Sequence, residues 1–295
     1  MKLAAIDIGS NAARLLIVEV VQYNSSEVDF TKLNLIRIPL QLGYDVFQTG
    51  FIGEEKKHNF IETMKVFKTL MDIYKVVNYK ACATSAMRDA SNAKAIVEEI
   101  YRLTGIEIDI ISGQKEASIL YETHIAEKFQ NSGASLYIDV GGGSTELTLF
   151  GNKQIVSKES FNIGTIRLLN DKIQGSEWEL LKEFIQTSCS EYYPLNLIGS
   201  GGNINKVFSM SSTKNGKPLK YKYLKDLHNH LSELSIEERV HQYQIKEDRA
   251  AVLVPALEIY TSIMRWTNAN EIFVPKIGLA DGLIKMLYSE MKNSE

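Results

Sequence analysis

The chain has 295 residues, which is enough for about two domains of ordinary size, each with a buried core. With 44% hydrophobic and 23% charged residues, 19 glycines and 5 prolines, the composition is that of a globular protein and excludes a disordered or collagen-like chain. The 33 basic and 36 acidic residues leave a net charge of −3, which gives no overall positive field for binding nucleic acid or a membrane surface. We therefore expect any polyanionic ligand to be bound at a local site.

Cysteine usage and the apolar stretches indicate the cellular location. Cys82 and Cys189 are far apart, do not have metal-ligand spacing, and fall in a predicted strand and a predicted helix, so we interpret both as buried reduced thiols. The apolar run at residues 3–6 is too short for a signal peptide. The run at residues 250–264 is shorter than the roughly 20 residues that span a bilayer. We expect a cytoplasmic protein without nucleic acid or membrane partners.

The first predicted element in the chain is one copy of a repeated hairpin. Residues 5–17 and 137–149 match at a constant offset of 132 residues. Each copy reads as an apolar strand that ends in an aspartate, Asp7 or Asp139, followed by a turn rich in Gly, Ser and Asn and by a second apolar strand. A chance match is the alternative, but the Asp-x-Gly at the same point of both copies favours a duplicated domain.

Between the hairpins the sequence predicts an α/β arrangement. Strands are predicted near residues 33–39, 79–84 and 106–111, and amphipathic helices near 55–76 and 92–103. Ser91 is the predicted N-cap of the second helix, and Gly105 follows its end. A third helix is predicted to begin just after Gly113 and to end at about residue 130.

After the second hairpin the sequence predicts further strands and then helices. Strands extend to about residue 161, helices follow near 165–172 and 176–192, a short strand ends at Ile198, and the remainder is mainly helical with a long buried helix over 252–266. These patterns predict two domains, residues 1–124 and residues 125–295.

Three glycine-rich turns are candidate phosphate-binding sites, because glycine lets backbone N–H groups point into one concavity. The candidates are Gly9, Ser10 and Asn11 in the first hairpin, Gly141, Gly142, Gly143, Ser144 and Thr145 in the second, and Gly199, Ser200, Gly201, Gly202 and Asn203 before a predicted helix. A single such turn is more often structural. Two related turns that face each other across an interdomain cleft would hold a phosphate chain from both sides, with Asp7 and Asp139 available for a hydrated Mg²⁺.

These turns and several further motifs resemble the actin-like ATPase superfamily, and within it the exopolyphosphatase/guanosine-pentaphosphate phosphohydrolase (Ppx/GppA) family. The resemblance covers nearly the whole chain, and its motifs lie at residues 7–15, 83–92, 112–117, 139–147, 163–168, 199–203, 238–239, 248–250 and 278–283. It implies an α/β fold of two duplicated actin-like (ribonuclease H-like) domains with an interdomain cleft, and a homodimer.

The resemblance also implies roles for individual side chains. Glu116 is the expected general base that activates a water, although the residues alone favour the alternative of an acidic residue that stabilises a helix N-terminus. Arg14 and Arg88 are expected phosphate ligands, since a guanidinium binds two phosphate oxygens at once; Arg88 has the alternative of pairing with its neighbour Asp89 or with a helix C-terminus. Asp7, Asp139 and Glu146 are the expected ligands of Mg²⁺ or another divalent cation.

The chain departs from the family pattern at four places, and two of them concern phosphate contacts. The family has Ser at the position of Ala12 and a basic residue at that of Ser118, so two phosphate or phosphate-adjacent contacts are in doubt. The other departures are Gln114-Lys115 in place of a more acidic pair and Ala280-Asp281 in place of Arg-Glu. None of them removes the expected base.

The resulting hypothesis is an exopolyphosphatase that removes the terminal phosphate of inorganic polyphosphate by metal-assisted attack of water. The alternatives are a guanosine-pentaphosphate (pppGpp) 5′-phosphohydrolase, a non-hydrolytic sensor of (p)ppGpp or ATP, and a sugar-kinase-like transferase. Five lysines between residues 214 and 225 favour a long polyanion, although a solvated loop explains them equally well. Longer family members carry an additional C-terminal domain, which weakens any expectation of processive action here.

Overall fold

The structure, a computed structural model, describes residues 1–23, 28–121, 133–151, 154–275 and 277–293. It divides into two compact units, residues 1–123 together with 279–295, and residues 124–278. The change from one unit to the other near residue 124 falls in a stretch that lies outside the described residues. The division differs from the predicted domains at the C-terminus, because residues 279–295 belong to the first unit.

The first unit contains a five-stranded sheet in the order β3-β2-β1-β4-β5. Its strands are β1 (Lys2–Ile8), β2 (Ala13–Gln22), β3 (Val28–Ile38), β4 (Asn78–Ala83) and β5 (Asp109–Ile110). β1, β2 and β3 form an antiparallel meander, whereas β4 runs parallel to β1 and β5 runs parallel to β4. Its helices up to residue 121 are α1 (Leu42–Thr49), α2 (Glu54–Tyr74), α3 (Ser85–Asp89), α4 (Ala93–Thr104) and α5 (Gly113–Tyr121).

The predicted elements of the first unit are present, with changes at their ends. The N-cap of α4 is Asn92 rather than the predicted Ser91; the Asn92 side chain also accepts from the Ile52 N–H at 3.0 Å and donates to the Ile52 carbonyl at 2.8 Å. Gly105 ends α4 in the left-handed conformation with φ 70°, as predicted. The predicted strand at 106–111 is shorter, since two of its residues pair with β4. Residues 122–130 of the predicted third helix lie outside the described residues.

The second unit contains a six-stranded sheet in the order β10-β11-β9-β6-β7-β8. Its strands are β6 (Ser135–Val140), β7 (Thr145–Gly151), β8 (Gln154–Phe161), β9 (Asn196–Ser200), β10 (Leu219–Lys220) and β11 (Glu271–Phe273). Its helices are α6 (Thr165–Leu169), α7 (Gly175–Ser188), α8 (Gly202–Met210), α9 (Tyr221–Glu233), α10 (Ile236–Tyr243) and α11 (Glu247–Trp266), and a short 3₁₀ turn covers Ser190–Tyr192.

The two sheets confirm the predicted duplication. The order β8-β7-β6-β9-β11 in the second unit repeats β3-β2-β1-β4-β5 of the first, with the same sequence of antiparallel and parallel pairs. The hairpins also share a register, because Asp7 lies opposite Arg14 and Asp139 lies opposite Glu146. Each unit therefore has the strand order of an actin-like (ribonuclease H-like) domain, as predicted.

The last helix, α12 (Leu279–Asn293), completes the first unit. Its apolar face, with Leu283 and Leu287, packs in one buried cluster with Leu3 of β1 and Leu16 of β2. Two ion pairs attach α12 to the same sheet, Lys32 with Asp281 at 2.5 Å and Lys80 with Glu290 at 2.9 Å. The helix covers one face of this sheet, which is why it does not belong to the unit that precedes it in the chain.

Both cysteines are free and buried, as predicted. Burial raises the pKa of the Cys82 thiol to about 12 and that of the Cys189 thiol to about 11, because a low-polarity environment disfavours the thiolate. In the part of the chain that the structure describes, no helix combines the length and the apolar character that crossing a bilayer requires.

Candidate active site

The turn between β1 and β2 is held by its carbonyl groups. The Ser10 carbonyl accepts from the Gly43 N–H at 2.8 Å, and the Asn11 carbonyl accepts from the Gln41 N–H at 3.0 Å. In a trans peptide the C=O and the following N–H point in opposite directions. The N–H groups of Asn11 and Ala12 therefore point away from the start of α1, which is the orientation that an anion-binding turn requires.

The turn between β6 and β7 has the same construction in the second unit. The carbonyls of Gly141, Gly142 and Gly143 accept from the first three residues of α6 at 3.0, 2.8 and 2.7 Å, the third donor being Nε of Arg167. The N–H groups of Gly142, Gly143 and Ser144 consequently point away from α6. Three successive N–H groups directed to one side form the kind of concavity that binds phosphate oxygens.

A common hydrogen bond closes both turns. The Gly9 N–H donates to the Ala12 carbonyl at 3.1 Å, and the Gly141 N–H donates to the Ser144 carbonyl at 2.9 Å, at positions that again differ by 132 residues. The second turn also lies directly against Gly164, where a Cβ would be 2.4 Å from the Gly142 oxygen. Any residue larger than glycine at position 164 would displace the turn.

The two hairpins differ in charge at equivalent positions. In the first, Asp7 Oδ2 accepts from Arg14 Nη1 at 2.7 Å, which makes an ion pair across the strands. In the second, the residues in the same register are Asp139 and Glu146, which are both acidic. Duplication has therefore produced one neutralised pair and one pair of carboxylates.

Hydroxyl groups surround the carboxylates of the second hairpin. Glu146 Oε1 accepts from the hydroxyls of Ser144 at 2.6 Å and Ser160 at 3.0 Å. The Ser200 hydroxyl donates to the Ile277 carbonyl at 3.1 Å and lies 3.5 Å from Asp139 Oδ2. Glu146 is 3% and Asp139 is 9% exposed. The Thr145 hydroxyl, by contrast, donates to the Ile163 carbonyl at 2.6 Å, and Thr145 is fully buried. In this structure Thr145 therefore stabilises the turn.

The donor set at this point fits a hard cation, because carboxylate oxygens are the ligands that Mg²⁺ prefers. Among the described residues, no group of three or more His, Cys, Asp or Glu side chains is arranged to hold a metal ion. A Mg²⁺ ion commonly uses one or two carboxylates and completes its shell with water and substrate phosphate, and the pair Asp139 and Glu146 matches that number.

The third candidate loop, residues 199–203, lies against Asp139. Gly201 has φ +99°, and a Cβ there would be 2.6 Å from Asp139 Oδ1, so the position requires glycine for both backbone conformation and space. The Tyr260 hydroxyl on α11 donates to the Ser200 carbonyl at 2.5 Å, and Arg249 Nη1 donates to the Gly202 carbonyl at 2.7 Å. The loop is thus fixed from the side of α11.

Glu116 lies in the first turn of α5 in the first unit, as predicted. Its N–H donates to the Ser112 carbonyl at 2.9 Å, and the side chain is largely buried. Arg88 Nη1 donates to the Ile111 carbonyl at 2.9 Å and approaches Glu116 Oε2 at 3.5 Å. This charged contact brings together two of the predicted site residues, Arg88 and the predicted base.

Three site residues were not identified from the sequence. Ser85 shares a hydrogen bond with the Ser10 hydroxyl at 3.0 Å, Ser160 donates to Glu146, and Tyr260 holds the third loop. Ser160 becomes recognisable once the β7–β8 register is known, because it lies opposite Glu146. Tyr260 carried no sequence signal beyond the apolar pattern of its helix.

Comparison with known proteins identifies the family of the chain. The model of the family described as the Ppx/GppA phosphatase family matches residues 20–293. A bifunctional 3-dehydroquinate synthase/phosphatase of Fusobacterium nucleatum is 33% identical over 233 aligned positions, and the alignment covers 70% of this chain and 34% of that protein. A guanosine-5′-triphosphate,3′-diphosphate pyrophosphatase of Aliivibrio fischeri is 23% identical over 316 aligned positions, 99% of this chain and 60% of that protein.

A solved structure described as an exopolyphosphatase from Cytophaga hutchinsonii superposes with a TM-score of 0.83 at 24% identity, covering 99% of this chain and 98% of the other. At that identity the likeness concerns the fold. The chain spans about a third of the length of the Fusobacterium relative and 60% of the Aliivibrio one.

Proposed function

The chain belongs to the Ppx/GppA phosphatase family, and we propose that it hydrolyses the terminal phosphoanhydride bond of a polyphosphorylated substrate. The observation that carries this proposal is the pair of turns at residues 9–12 and 141–144. In each unit the carbonyls of the turn accept hydrogen bonds from the helix that follows the hairpin or from the residue just before that helix. The N–H groups of the turn point in the opposite direction. A duplicated anion-binding turn suits a ligand with several phosphate groups.

In this proposal the backbone N–H groups of the turns bind phosphate oxygens of the substrate, and Arg14 and Arg88 offset their negative charge. Glu116 is the general base. The oxygen of a water molecule forms a bond to the terminal phosphorus while the bond from that phosphorus to the bridging oxygen breaks. Glu116 accepts the proton of the water, and the shortened chain leaves with the bridging oxygen and its negative charge.

Asp139 and Glu146 are the residues that would hold a divalent cation, which when bound offsets charge on the phosphate oxygens. The Ser144 and Ser160 hydroxyls keep the Glu146 carboxylate in place by the hydrogen bonds described above. Asp7 is left out of the proposed metal site, because its carboxylate already forms an ion pair with Arg14 at 2.7 Å. The first hairpin then binds phosphate and the second binds both phosphate and metal.

Inorganic polyphosphate is the proposed substrate. The five lysines between residues 214 and 225 are all exposed, and only Lys220 has a described ion pair among them, with Glu271 at 2.9 Å. Such a basic segment favours a long polyanion. The guanosine nucleotide pppGpp is the second candidate, favoured by the alignment of 99% of the chain with the Aliivibrio pyrophosphatase.

Release of inorganic phosphate from a panel of substrates tests the proposal. The panel contains polyphosphates of several lengths, pppGpp and ATP, each with and without Mg²⁺. We expect Mg²⁺-dependent release from polyphosphate at a higher kcat/KM than from the two nucleotides. Faster release from pppGpp would assign the second candidate, and saturable nucleotide binding without phosphate release would contradict hydrolysis altogether.

A further inference from the structure

A close contact between two helices of the first unit carries an inference about Gly282, which no step of the mechanism uses. Gly282 lies inside α12, and a Cβ built on it would be 2.2 Å from the carbonyl oxygen of Ile119 and 2.8 Å from its Cγ2. Real Cβ atoms do not come so close to a backbone oxygen. The backbones of α12 and α5 therefore touch at this point, with no room for any side chain.

The position of Gly282 in a helix makes this contact informative. Glycine is a poor residue for a helix interior, and alanine would stabilise α12 as an isolated helix. Gly278, just before α12, differs in this respect, because a Cβ built there has nothing within 4 Å. The close contact is a property of position 282. The feature that requires glycine is the approach of α5.

The contact lies on the helix that carries the proposed base. Ile119 is three residues after Glu116 in α5, which places the two nearly one helical turn apart. A Cβ at position 282 meets the backbone of Ile119, which is less able to yield than a side chain, so α5 has to shift as a unit and Glu116 moves with it. The contact of Glu116 Oε2 with Arg88 Nη1, already 3.5 Å, depends on that placement.

The placement of α12 is itself fixed. Its apolar face is buried against β1 and β2, and the ion pairs of Asp281 with Lys32 and of Glu290 with Lys80 attach it to the sheet. A helix held in this way does not move aside when a methyl group is added. The displacement therefore falls on α5.

We propose that Gly282 is a positioning residue that sets the location of Glu116 through the backbone contact of α12 with α5. This inference rests on the proposed function, in which Glu116 is the general base. The inference assigns a positioning role to a residue of the motif at residues 278–283. The chemical step proposed above uses no residue of that motif directly.

The test is a double-mutant cycle with Gly282→Ala and Glu116→Gln, assayed as phosphate release per folded molecule well below the melting temperature. Gly282→Ala is expected to lower kcat by about 10- to 100-fold with little change in KM, since a displacement of about 1 Å at a catalytic group costs that much. In the Glu116→Gln background it should have no further effect. Gly278→Ala is the matched control and should retain wild-type kcat.

The outcomes separate the inference from the proposed function. A wild-type chain that hydrolyses none of the substrates refutes the function, whereas equal losses from Gly282→Ala in both backgrounds refute the positioning role alone. A crystal structure of Gly282→Ala gives an answer without activity: we expect a shifted α5 and a longer Arg88–Glu116 distance, and an unmoved α5 contradicts the inference. If Gly282→Ala does not fold, Lys32→Gln, which frees one end of α12, should lower kcat by about 2- to 5-fold in the wild-type background only.

Discussion

The Tyr260 hydroxyl is buried within the second unit, and its removal tests how the third loop is held. Tyr260 is 1% exposed, and its hydroxyl donates to the Ser200 carbonyl at 2.5 Å. Burial raises the pKa of this phenol well above its usual value, with the nearby carboxylate of Asp139 adding to the shift, so the hydroxyl keeps its proton throughout the physiological range. Tyr260→Phe removes the hydroxyl, so the buried Ser200 carbonyl loses this hydrogen bond.

The magnitude follows from this burial. An unsatisfied buried carbonyl costs about 1–3 kcal/mol of unfolding free energy. For a unit of this size, each kcal/mol corresponds to about 2–4 °C in Tm, so we expect Tm of the second unit to fall by about 2–12 °C. Because Gly201 lies against Asp139, loosening the loop should also weaken Mg²⁺ binding by about 10-fold, the lower end for residues that orient a metal ligand.

Scanning calorimetry measures the change in Tm, and titration calorimetry of the folded protein with Mg²⁺ measures the change in affinity. Tyr101→Phe is the matched control, because Tyr101 is 58% exposed and should change neither quantity. An unchanged Tm for Tyr260→Phe would refute the argument that the hydroxyl holds the loop. A lower Tm with unchanged Mg²⁺ affinity would refute the link from the loop to Asp139.

The remaining predictions concern the second turn, the arginine at the base and the thiols. Gly164→Ala should raise KM by more than about 10-fold, because its Cβ displaces the turn at Gly142; a steady-state assay that finds KM unchanged would contradict the packing argument. Arg88→Gln should lower kcat by about 10²-fold when phosphate release is followed. Substitution of Arg102, the exposed arginine on α4, should leave kcat unchanged. In native protein at pH 8, neither Cys82 nor Cys189 should react with a thiol reagent until denaturant is added, because burial raises both pKa values far above that pH; rapid labelling would contradict their burial.

The repeated hairpin and the helices of the first unit were predictable because their signals are local. An aspartate at the end of an apolar strand, followed by glycine two residues later, occurs in both copies at the same offset, and the structure confirms two equivalent hairpins. In α2 the apolar residues recur at three or four positions, and Phe60, Met64, Phe67 and Met71 are indeed its buried face.

The features that the sequence did not predict depend on contacts between distant segments. Leu283 and Leu287 indicate that α12 has an apolar face, but not that the face covers the first sheet, and the prediction therefore assigned this helix to the second domain. The hydrogen bond of Ser160 to Glu146 depends on the register of β7 with β8, which has an irregularity at Leu149. Such pairings are set by tertiary structure, and neighbouring residues carry no signal for them.

The most direct measurement is the rate of Mg²⁺-dependent phosphate release from polyphosphate by the Glu116→Gln variant, compared with the wild type at saturating substrate. The variant keeps the size of the side chain and loses its ability to accept a proton, so the account predicts a decrease of about 10²- to 10⁴-fold with polyphosphate binding retained. Hydrolysis at the wild-type rate would contradict it.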